Sequence, residues 1–231
     1  MLVIGHRGAA GLAPENTLAS LRAGRDAGAD ALEFDIRLTK DGVPILLHDK
    51  GLKRTHQHNL TVSRLTLGEL QDLTRDLPNA IATLEEVLDE FFGVLLLNIE
   101  LKQRRSPRKI IQLIHDKYIT HEADWNHVVL SSFMVDELKR ARKTSPHVPL
   151  WLLHGRNPFL FIAYYRTLKL KGVGFHRPYL HPFALKIAAK YQLFTYVFTI
   201  NRSESARLVQ KQKIAGIVTD YPDRIIRALS R

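Results

Sequence analysis

Short apolar runs alternate with amphipathic stretches along the whole chain of 231 residues. Apolar runs of about four to eight residues are typical of buried strands, and the stretches between them have the period of helices. Thr83 and Glu86 form a capping box at the start of one such helix. The eight candidate strands are Leu2–Gly5, Ala31–Ile36, Val94–Ile99, Val128–Ser131, Leu150–Leu153, Gly172–Phe175, Phe194–Thr199 and Gly216–Thr219. This alternation predicts an α/β fold, a closed (β/α)8 TIM barrel that forms one domain over residues 1–231.

One segment interrupts the alternation after the second strand. A hairpin turn signal at Thr39–Gly42 is followed by a returning strand, Val43–His48. If the last two residues of the signal are the turn residues, the numbers of paired residues sum to 83 and Asp35 faces His48. Residues from about 49 to 82 then form a small insertion outside the barrel.

Carboxylates lie on one face of two consecutive strands. Alternation places Glu33 and Asp35 together on the second strand, and Glu100 on the corresponding face of the next. Active sites of such barrels lie at the carboxyl ends of the strands, where three buried carboxylates would repel one another. One divalent cation, Mg²⁺ or Ca²⁺, relieves this repulsion and suits a site of oxygen ligands. The alternative is a ring of salt bridges with Arg7 and Lys102 and no metal.

Two histidines are predicted to lie over the same face as the carboxylates. The first strand ends in His6 and Arg7, and the hairpin brings in His48. Two histidines near neutral pKa can serve as general acid and general base. Arg7 and Lys102 can bind a phosphate group. This set of side chains favours metal-assisted cleavage of a phosphate ester.

Other features of the sequence have simpler interpretations. The run Phe159–Tyr165 is expected to be a packed helix, or otherwise a lid or a membrane-touching edge. The chain has eleven histidines, and the remaining nine lack carboxylate neighbours at metal-ligand spacing. These nine, which we expect on the surface or in loops, are His56, His58, His115, His121, His127, His147, His154, His176 and His181.

Composition limits the partners of the protein. The chain carries 34 Lys and Arg against 23 Asp and Glu, a formal net charge of +11, which allows anionic partners. The charges form no long tract, so we expect solvated surfaces and no specific nucleic-acid binding. Without cysteine, disulfides and thiolate metal sites are excluded. Met1 leads directly into the first strand, which predicts a cytoplasmic protein. Membrane contact is allowed but not required, and the oligomeric state stays open.

An ordered series of motifs resembles the glycerophosphodiester phosphodiesterase family over nearly the whole chain. The motifs are His6-Arg7-Gly8, Pro14-Glu15-Asn16-Thr17, Glu33-Phe34-Asp35, Lys40-Asp41-Gly42, Leu47-His48-Asp49, Arg54-Thr55, Leu84-Glu85-Glu86-Val87-Leu88, Asn98-Ile99-Glu100-Leu101-Lys102, Leu130-Ser131-Ser132-Phe133, Phe198-Thr199-Ile200-Asn201 and Thr219-Asp220-Tyr221-Pro222. The resemblance implies a metal-dependent barrel that hydrolyses a small-molecule glycerophosphodiester to glycerol 3-phosphate and an alcohol.

The resemblance also implies roles for individual residues. Those carried over by position are Glu33, Asp35 and Glu100 as metal ligands, His6 and His48 as the acid and base, Arg7 and Lys102 as phosphate-binding groups, and Glu15 in a metal-binding or orienting role. Two positions depart from the family pattern, because Ala82 replaces a usual proline and Phe198 a frequent tryptophan. Phe198, with Tyr196 and Asn201, could line the substrate pocket, while both aromatic side chains could equally be barrel packing.

Two further functions compete with this interpretation. The first is a lysophospholipase D or phospholipase C type of activity on membrane lipid, which the basic charge and the run Phe159–Tyr165 favour. The second is a non-catalytic barrel that binds an anionic ligand. The presence of both histidines and all three carboxylates argues against that second function.

Overall fold

The computed structural model describes residues 1–230 and contains a nine-stranded sheet. The strands are β1 (Leu2–Gly5), β2 (Ala31–Leu38), β3 (Pro44–Leu46), β4 (Leu96–Leu101), β5 (Val128–Ser132), β6 (Leu150–His154), β7 (Gly172–His176), β8 (Phe194–Phe198) and β9 (Gly216–Thr219). The α-helices are α1 (Leu18–Asp26), α2 (Lys53–His56), α3 (Leu67–Thr74), α4 (Leu84–Phe91), α5 (Pro107–Tyr118), α6 (Val135–Thr144), α7 (Pro182–Lys190), α8 (Ser203–Lys211) and α9 (Pro222–Leu229).

The sheet closes into a barrel. All strands except β3 are parallel, and β1 pairs with both β2 and β9, so the remaining eight strands form a ring. The predicted (β/α)8 barrel with an insertion after the second strand is therefore confirmed. The third candidate strand, observed as β4, begins two residues later than predicted, at Leu96, because the amides of Val94 and Leu95 bond back to Phe91 at the end of α4.

The predicted register of the hairpin is wrong by one residue. The observed β2–β3 pairs, such as Ile36 with Leu46, sum to 82, and the Leu47 amide donates to the Asp35 carbonyl. The reason is a turn of three residues that ends in Gly42, whose φ of +84° lies in the left-handed region. Asp35 therefore lies opposite Leu47, and His48 follows the end of β3.

The segment after β3 has an apolar cluster of its own. Helices α2 and α3 and a 3₁₀ turn at Val62–Arg64 lie between β3 and α4. The buried members of the cluster are Ile45, Leu47, Leu52, Val62, Leu70 and Ile81. Since Ile45 and Leu47 come from the hairpin, this cluster attaches the insertion to the strand that leads into His48.

Alternation along the strands separates two apolar layers. Leu32, Phe34 and Ile36 of β2 pack outward against the helices, in the large core cluster. Ala31, on the opposite face of β2, belongs to the cluster inside the barrel. This interior cluster consists of Ile4, Ala31, Val129, Trp151, Leu153, Tyr196 and Val218. It forms an apolar floor beneath the carboxyl end of the barrel.

Several of the simpler interpretations need correction. The run Phe159–Tyr165 contains a 3₁₀ helix at Leu160–Ala163 instead of a packed α-helix. His56 and His154 are buried, whereas we expected both in loops or on the surface. His56 bonds to the Asn79 carbonyl, and His154 packs against Phe161 and Phe175 on the outer face of β6. Within residues 1–230, no helix is both long and apolar enough to cross a membrane.

Buried His154 predicts a loss of stability in mild acid. Burial lowers the pKa of His154 to about 4, from an ordinary value of 6.5. Between these values the unfolded chain binds a proton that the folded chain does not, so the free energy of unfolding falls as the pH falls through this window. Across this window, the contribution of His154 to the free energy of unfolding changes by about 3 kcal/mol. We expect His154→Phe to reduce this pH dependence in urea unfolding at pH 4, 5 and 7. An unchanged slope of stability against pH would contradict the assignment.

Candidate active site

Three carboxylates converge at the carboxyl end of β2 and β4. Asp35 is in register with Glu100 and Glu33 with Asn98, so adjacent strands bring the acidic side chains together. One oxygen from each of Glu33, Asp35 and Glu100 lies within 4.8 Å of the other two. All three residues are at least nine-tenths buried. A buried group of this kind is costly unless other charges compensate it.

The three carboxyl groups differ in pKa because their neighbours differ. Burial, followed by the charge of Asp35, raises the pKa of Glu33, and the same two causes raise the pKa of Glu100 to about 8. Burial also acts to raise the pKa of Asp35, but Lys102 and Arg7 hold it below its ordinary value. Asp35 is therefore the carboxylate most strongly held in its charged form.

The residues of this cluster fit a divalent cation. Lys102 lies 2.7 Å from Glu100 Oε1, and Arg7 donates its backbone amide to Glu33 Oε2. Glu33 Oε1 is buried and has no hydrogen-bond partner among the described residues. A buried oxygen without a partner, in a group of three acidic side chains, is the donor set that a hard oxygen-seeking cation requires. A salt-bridge ring alone would leave this oxygen unsatisfied.

His6 is oriented by the last strand of the barrel. Its Nδ1 lies 2.6 Å from Asp220 Oδ1, immediately after β9. Asn201 donates to the other oxygen of Asp220 at 2.5 Å and accepts from the Asp220 amide at 2.9 Å. The Asp220 carboxylate fixes the ring of His6, and Asn201 fixes the carboxylate.

His48 has a matching arrangement on the opposite side of the cluster. Its Nδ1 lies 2.7 Å from Asp49 Oδ1, and Arg54 donates to Asp49 Oδ2 at 2.6 Å. The buried guanidinium of Arg37 donates to the His48 carbonyl at 2.9 and 2.7 Å. Each histidine thus has an aspartate on Nδ1, which leaves Nε2 free to exchange protons.

The two histidines differ in their electrostatics. Burial alone lowers the pKa of both rings. For His6, the hydrogen bond to Asp220 and the charge of Glu33 outweigh burial and raise the pKa. For His48, Asp35 and Asp49 do not fully offset burial, and the pKa is lowered. Opposite shifts separate the protonation states of the pair, as chemistry with one acid and one base requires.

One positively charged side chain lies beside each carboxylate oxygen of Asp35. Arg7 Nε lies 3.3 Å from Asp35 Oδ2, and Lys102 Nζ lies 3.4 Å from Asp35 Oδ1. Glu15 binds Arg7 at 2.8 Å and Arg54 at 2.5 Å, so it does not approach the cluster as a free ligand. Glu15 thus pairs with two arginines, and its metal-binding or orienting role stays a prediction.

Phe198 and Tyr196 occupy different layers of the barrel. Tyr196 is fully buried in the floor. Phe198 is half-buried at the end of β8, where its ring lies 5.7 Å from that of Phe133. A small cavity of about 30 Å³ lies between this aromatic wall and the carboxylates; it is lined by His6, Glu33, Asn98, Glu100, Ser131, Leu153, Tyr196, Phe198 and Val218. Phe198 thus lies beside the site, while Tyr196 supports it from below.

Sequence reasoning missed several residues that hold the site together. Asn16 bonds to both the side chain and the amide of Asp35 at 2.9 and 3.0 Å. Asp220 directly follows a strand, so the rule that identified the carboxylates of β2 and β4 could have found it. Arg37 continues the alternation of Glu33 and Asp35 and was lost because the predicted strand ended at Ile36. Asp49 stands in the motif Leu47-His48-Asp49, but the sequence analysis gave it no role.

Known proteins are similar to this chain in sequence and in fold. The model of the glycerophosphoryl diester phosphodiesterase family matches residues 6–224. A glycerophosphodiester phosphodiesterase of Caldanaerobacter subterraneus is 30% identical over 244 residues, covering 100% of this chain and 98% of the relative.

Two solved structures are similar throughout. A Thermotoga maritima glycerophosphodiester phosphodiesterase is 25% identical, with a TM-score of 0.84 and coverage of 100% of this chain and 98% of the other. An Oleispira antarctica phosphodiesterase, solved in complex with the product sn-glycerol-3-phosphate, is also 25% identical, with a TM-score of 0.87 and coverage of 100% and 97%.

The closed barrel, with its acidic cluster and paired histidines, defines an enzyme of the phosphoric diester hydrolase class. The chain belongs to the glycerophosphoryl diester phosphodiesterase family.

Proposed function

We propose that this enzyme hydrolyses glycerophosphodiesters to sn-glycerol 3-phosphate and an alcohol, with a bound divalent cation and with His6 and His48 as acid and base. The observation that carries the proposal is the cluster of three carboxylates within 4.8 Å, flanked by two histidines that each bind an aspartate. The names of the relatives and the product bound to the Oleispira antarctica enzyme support the substrate class.

Glu33, Asp35 and Glu100 would hold the cation, either Mg²⁺ or Ca²⁺. When bound, it neutralises negative charge on the phosphate and lowers the pKa of a coordinated hydroxyl. Arg7 and Lys102 would bind the phosphate oxygens, since both side chains are positively charged and lie beside Asp35 of the cluster. Because the product is a dianion, the positive charges of these two side chains would stabilise the negative charge that develops on the phosphate.

The substrate itself supplies the first nucleophile in the mechanism we propose. Its hydroxyl beside the phosphate-bearing carbon forms a bond to phosphorus as the bond to the alcohol breaks. One histidine takes the proton of the hydroxyl, and the other gives a proton to the departing oxygen. Water then opens the cyclic phosphate with these roles reversed, which restores both histidines. An attacking group already on the substrate gains the advantage of an intramolecular reaction.

A turnover screen tests this function. The substrates are glycerophosphocholine, glycerophosphoethanolamine, glycerophosphoinositol and lysophospholipids, each with Mg²⁺, with Ca²⁺ and with excess chelator. We expect release of sn-glycerol 3-phosphate from at least one diester, its loss on chelation and its recovery when metal is restored. Full activity in excess chelator would overturn the role of the cation, and release of free alcohol only from lysophospholipids would favour the lipid-directed alternative.

Thermal unfolding gives a second measure of cation binding that does not depend on turnover. Added Mg²⁺ or Ca²⁺ should raise the melting temperature of the wild-type enzyme, because a ligand of the folded state stabilises it by mass action. Glu100→Gln replaces one carboxylate ligand by a neutral amide, so the rise should be much smaller in this variant. Glu122→Gln, an exposed acidic residue far from the cluster, is the matched control and should respond as the wild type does. An equal response of all three proteins would contradict the assigned ligands.

A further inference from the structure

The positive charge of the chain is concentrated in one segment. Residues 138–203 contain twelve Lys and Arg and no Asp or Glu. The rest of the chain contains 22 Lys and Arg and 23 Asp and Glu, and is therefore nearly neutral. The segment 138–203 forms most of α6 together with β6, β7, α7 and β8, so one side of the barrel carries the excess charge.

Most of these cations have no acidic partner. Among residues 1–230, only Lys139 and Arg140 of the twelve form ion pairs, with Asp136 and Glu137. Three exposed arginines lie in the loops at the carboxyl end of the barrel, one after each of three consecutive strands. They are Arg156 after β6, Arg177 after β7 and Arg202 after β8. Among residues 1–230 these three arginines form no ion pair, so the rim beside the active site carries unpaired positive charge.

Exposed apolar side chains lie on the same rim. Among the described residues, the Phe, Tyr and Trp side chains classed as exposed are Phe133, Tyr179 and Phe183, and Phe183 is 59% exposed. All three follow the carboxyl ends of β5 or β7, and Ile162 in the loop after β6 is also exposed. The exposed aromatic side chains are therefore concentrated where the unpaired arginines are.

Ring contacts connect two of these side chains, Phe133 and Tyr179, to the active site. Phe198 lies 5.7 Å from both Phe133 and His176, and His176 lies 5.8 Å from Tyr179. Phe159 lies 6.3 Å from Phe183 on the outer part of the same rim. The aromatic surface therefore begins at the wall of the small cavity and reaches Tyr179, and the pair of Phe159 and Phe183 lies farther out on the same rim.

We propose that this rim is a docking surface for an anionic lipid bilayer. The rim comprises Arg156, Ile162, Arg177, Tyr179, Phe183 and Arg202. Amphipathic aromatic rings enter the boundary between head groups and acyl chains, and neighbouring cations bind anionic head groups. The combination selects a membrane over a nucleic acid, because nucleic acid offers no apolar layer for Ile162 and Phe183. Docking in this orientation turns the mouth of the barrel toward the membrane.

Vesicle co-sedimentation with the full chain tests the docking surface. The probes are vesicles of phosphatidylcholine alone and with about a third phosphatidylglycerol. We expect binding to the anionic vesicles only, and at least a tenfold weaker partition coefficient for the triple variant Arg156→Gln, Arg177→Gln, Arg202→Gln. Circular dichroism checks that the variants fold. Binding is read without turnover, so the result is independent of the proposed function.

A second triple variant controls for net charge. Lys143→Gln, Lys171→Gln, Lys190→Gln removes the same charge from exposed positions near the ends of α6 and α7 and the start of β7, at the opposite end of the barrel. It should change the partition coefficient by less than threefold. Equal loss in both triple variants would overturn the localised surface. Tighter binding to duplex DNA than to anionic vesicles, lost in the rim variant, would replace the membrane by nucleic acid as the partner.

An added tryptophan reports whether the rim enters the bilayer. The chain has two tryptophans, Trp125 and Trp151, which are both buried. In Phe183→Trp, the emission of the new exposed indole should shift to shorter wavelength with anionic vesicles and be quenched by lipids brominated on their acyl chains. Vesicle binding without shift or quenching would contradict the docking geometry.

Discussion

His6→Ala and His48→Ala are each expected to lower kcat by about 10²–10⁴-fold, the range for the loss of a general acid or base. Each ring is partly exposed above the carboxylate cluster and is held by one aspartate, so its removal leaves no buried cavity. The double variant should be only slightly slower than the slower single variant, because both groups act in one reaction. Steady-state kinetics on the best diester from the turnover screen measures these effects.

A third histidine provides the matched control. His115 also lies close to an aspartate, with its Nδ1 3.0 Å from Asp116, but on the exposed surface of α5. His115→Ala should retain wild-type kcat. The melting temperatures of all three single variants should stay close to that of the wild type. A kcat within threefold of wild type for either His6→Ala or His48→Ala would refute its role in proton transfer.

Removal of the substrate hydroxyl beside the phosphate-bearing carbon should slow turnover by about 10³-fold or more. The effective molarity of a well-placed internal nucleophile reaches about 10⁵–10⁸ M, and an external water must replace it in the deoxy analogue. KM should change far less than kcat, because the phosphate and its cationic partners are unaltered. Measurement of both parameters on the 2-deoxy glycerophosphodiester tests the order of events.

The analogue that lacks only the distant hydroxyl is the control for this experiment. It keeps the neighbouring nucleophile and should turn over at a rate within tenfold of the parent compound. Phosphorus NMR of the parent reaction should also detect a cyclic phosphate under rapid-quench conditions. If the 2-deoxy compound turns over as fast as its parent, water attacks the phosphate directly and the cyclic intermediate is wrong.

The barrel could be predicted because its sequence pattern is repetitive. Each strand is a short apolar run, and the capping box of Thr83 and Glu86 is present at the start of α4. The helix type of the run Phe159–Tyr165 could not be predicted, because nearly continuous apolarity gives no period; the segment forms a short 3₁₀ helix at Leu160–Ala163. The burial of His154 could not be predicted either, because it results from packing against Phe175 of β7 and Phe161 of the 3₁₀ helix.

The candidate site was predictable where side chains alternate along one strand. Glu33 and Asp35 share a face by geometry alone, and the register of β2 with β4 adds Glu100. The hairpin pairing failed because a three-residue turn and a two-residue turn share the same sequence signal. Asp49 is the sequence neighbour of the histidine that it holds, whereas Asp220 depends on a contact between distant segments. The bond of His6 to Asp220 spans 214 positions of the chain.

That long-range contact joins the first strand of the barrel to the residue after the last. A chain in synthesis displays both histidines and all three carboxylates long before Asp220 exists. Until β9 pairs with β1, the ring of His6 has no partner to fix its tautomer, and the cluster lies on an open sheet. Under the proposed role of His6, we expect hydrolysis to begin only when the barrel has closed. The onset of turnover during refolding then reports the pairing of β9 with β1. It should come later than the recovery of the helical circular dichroism signal.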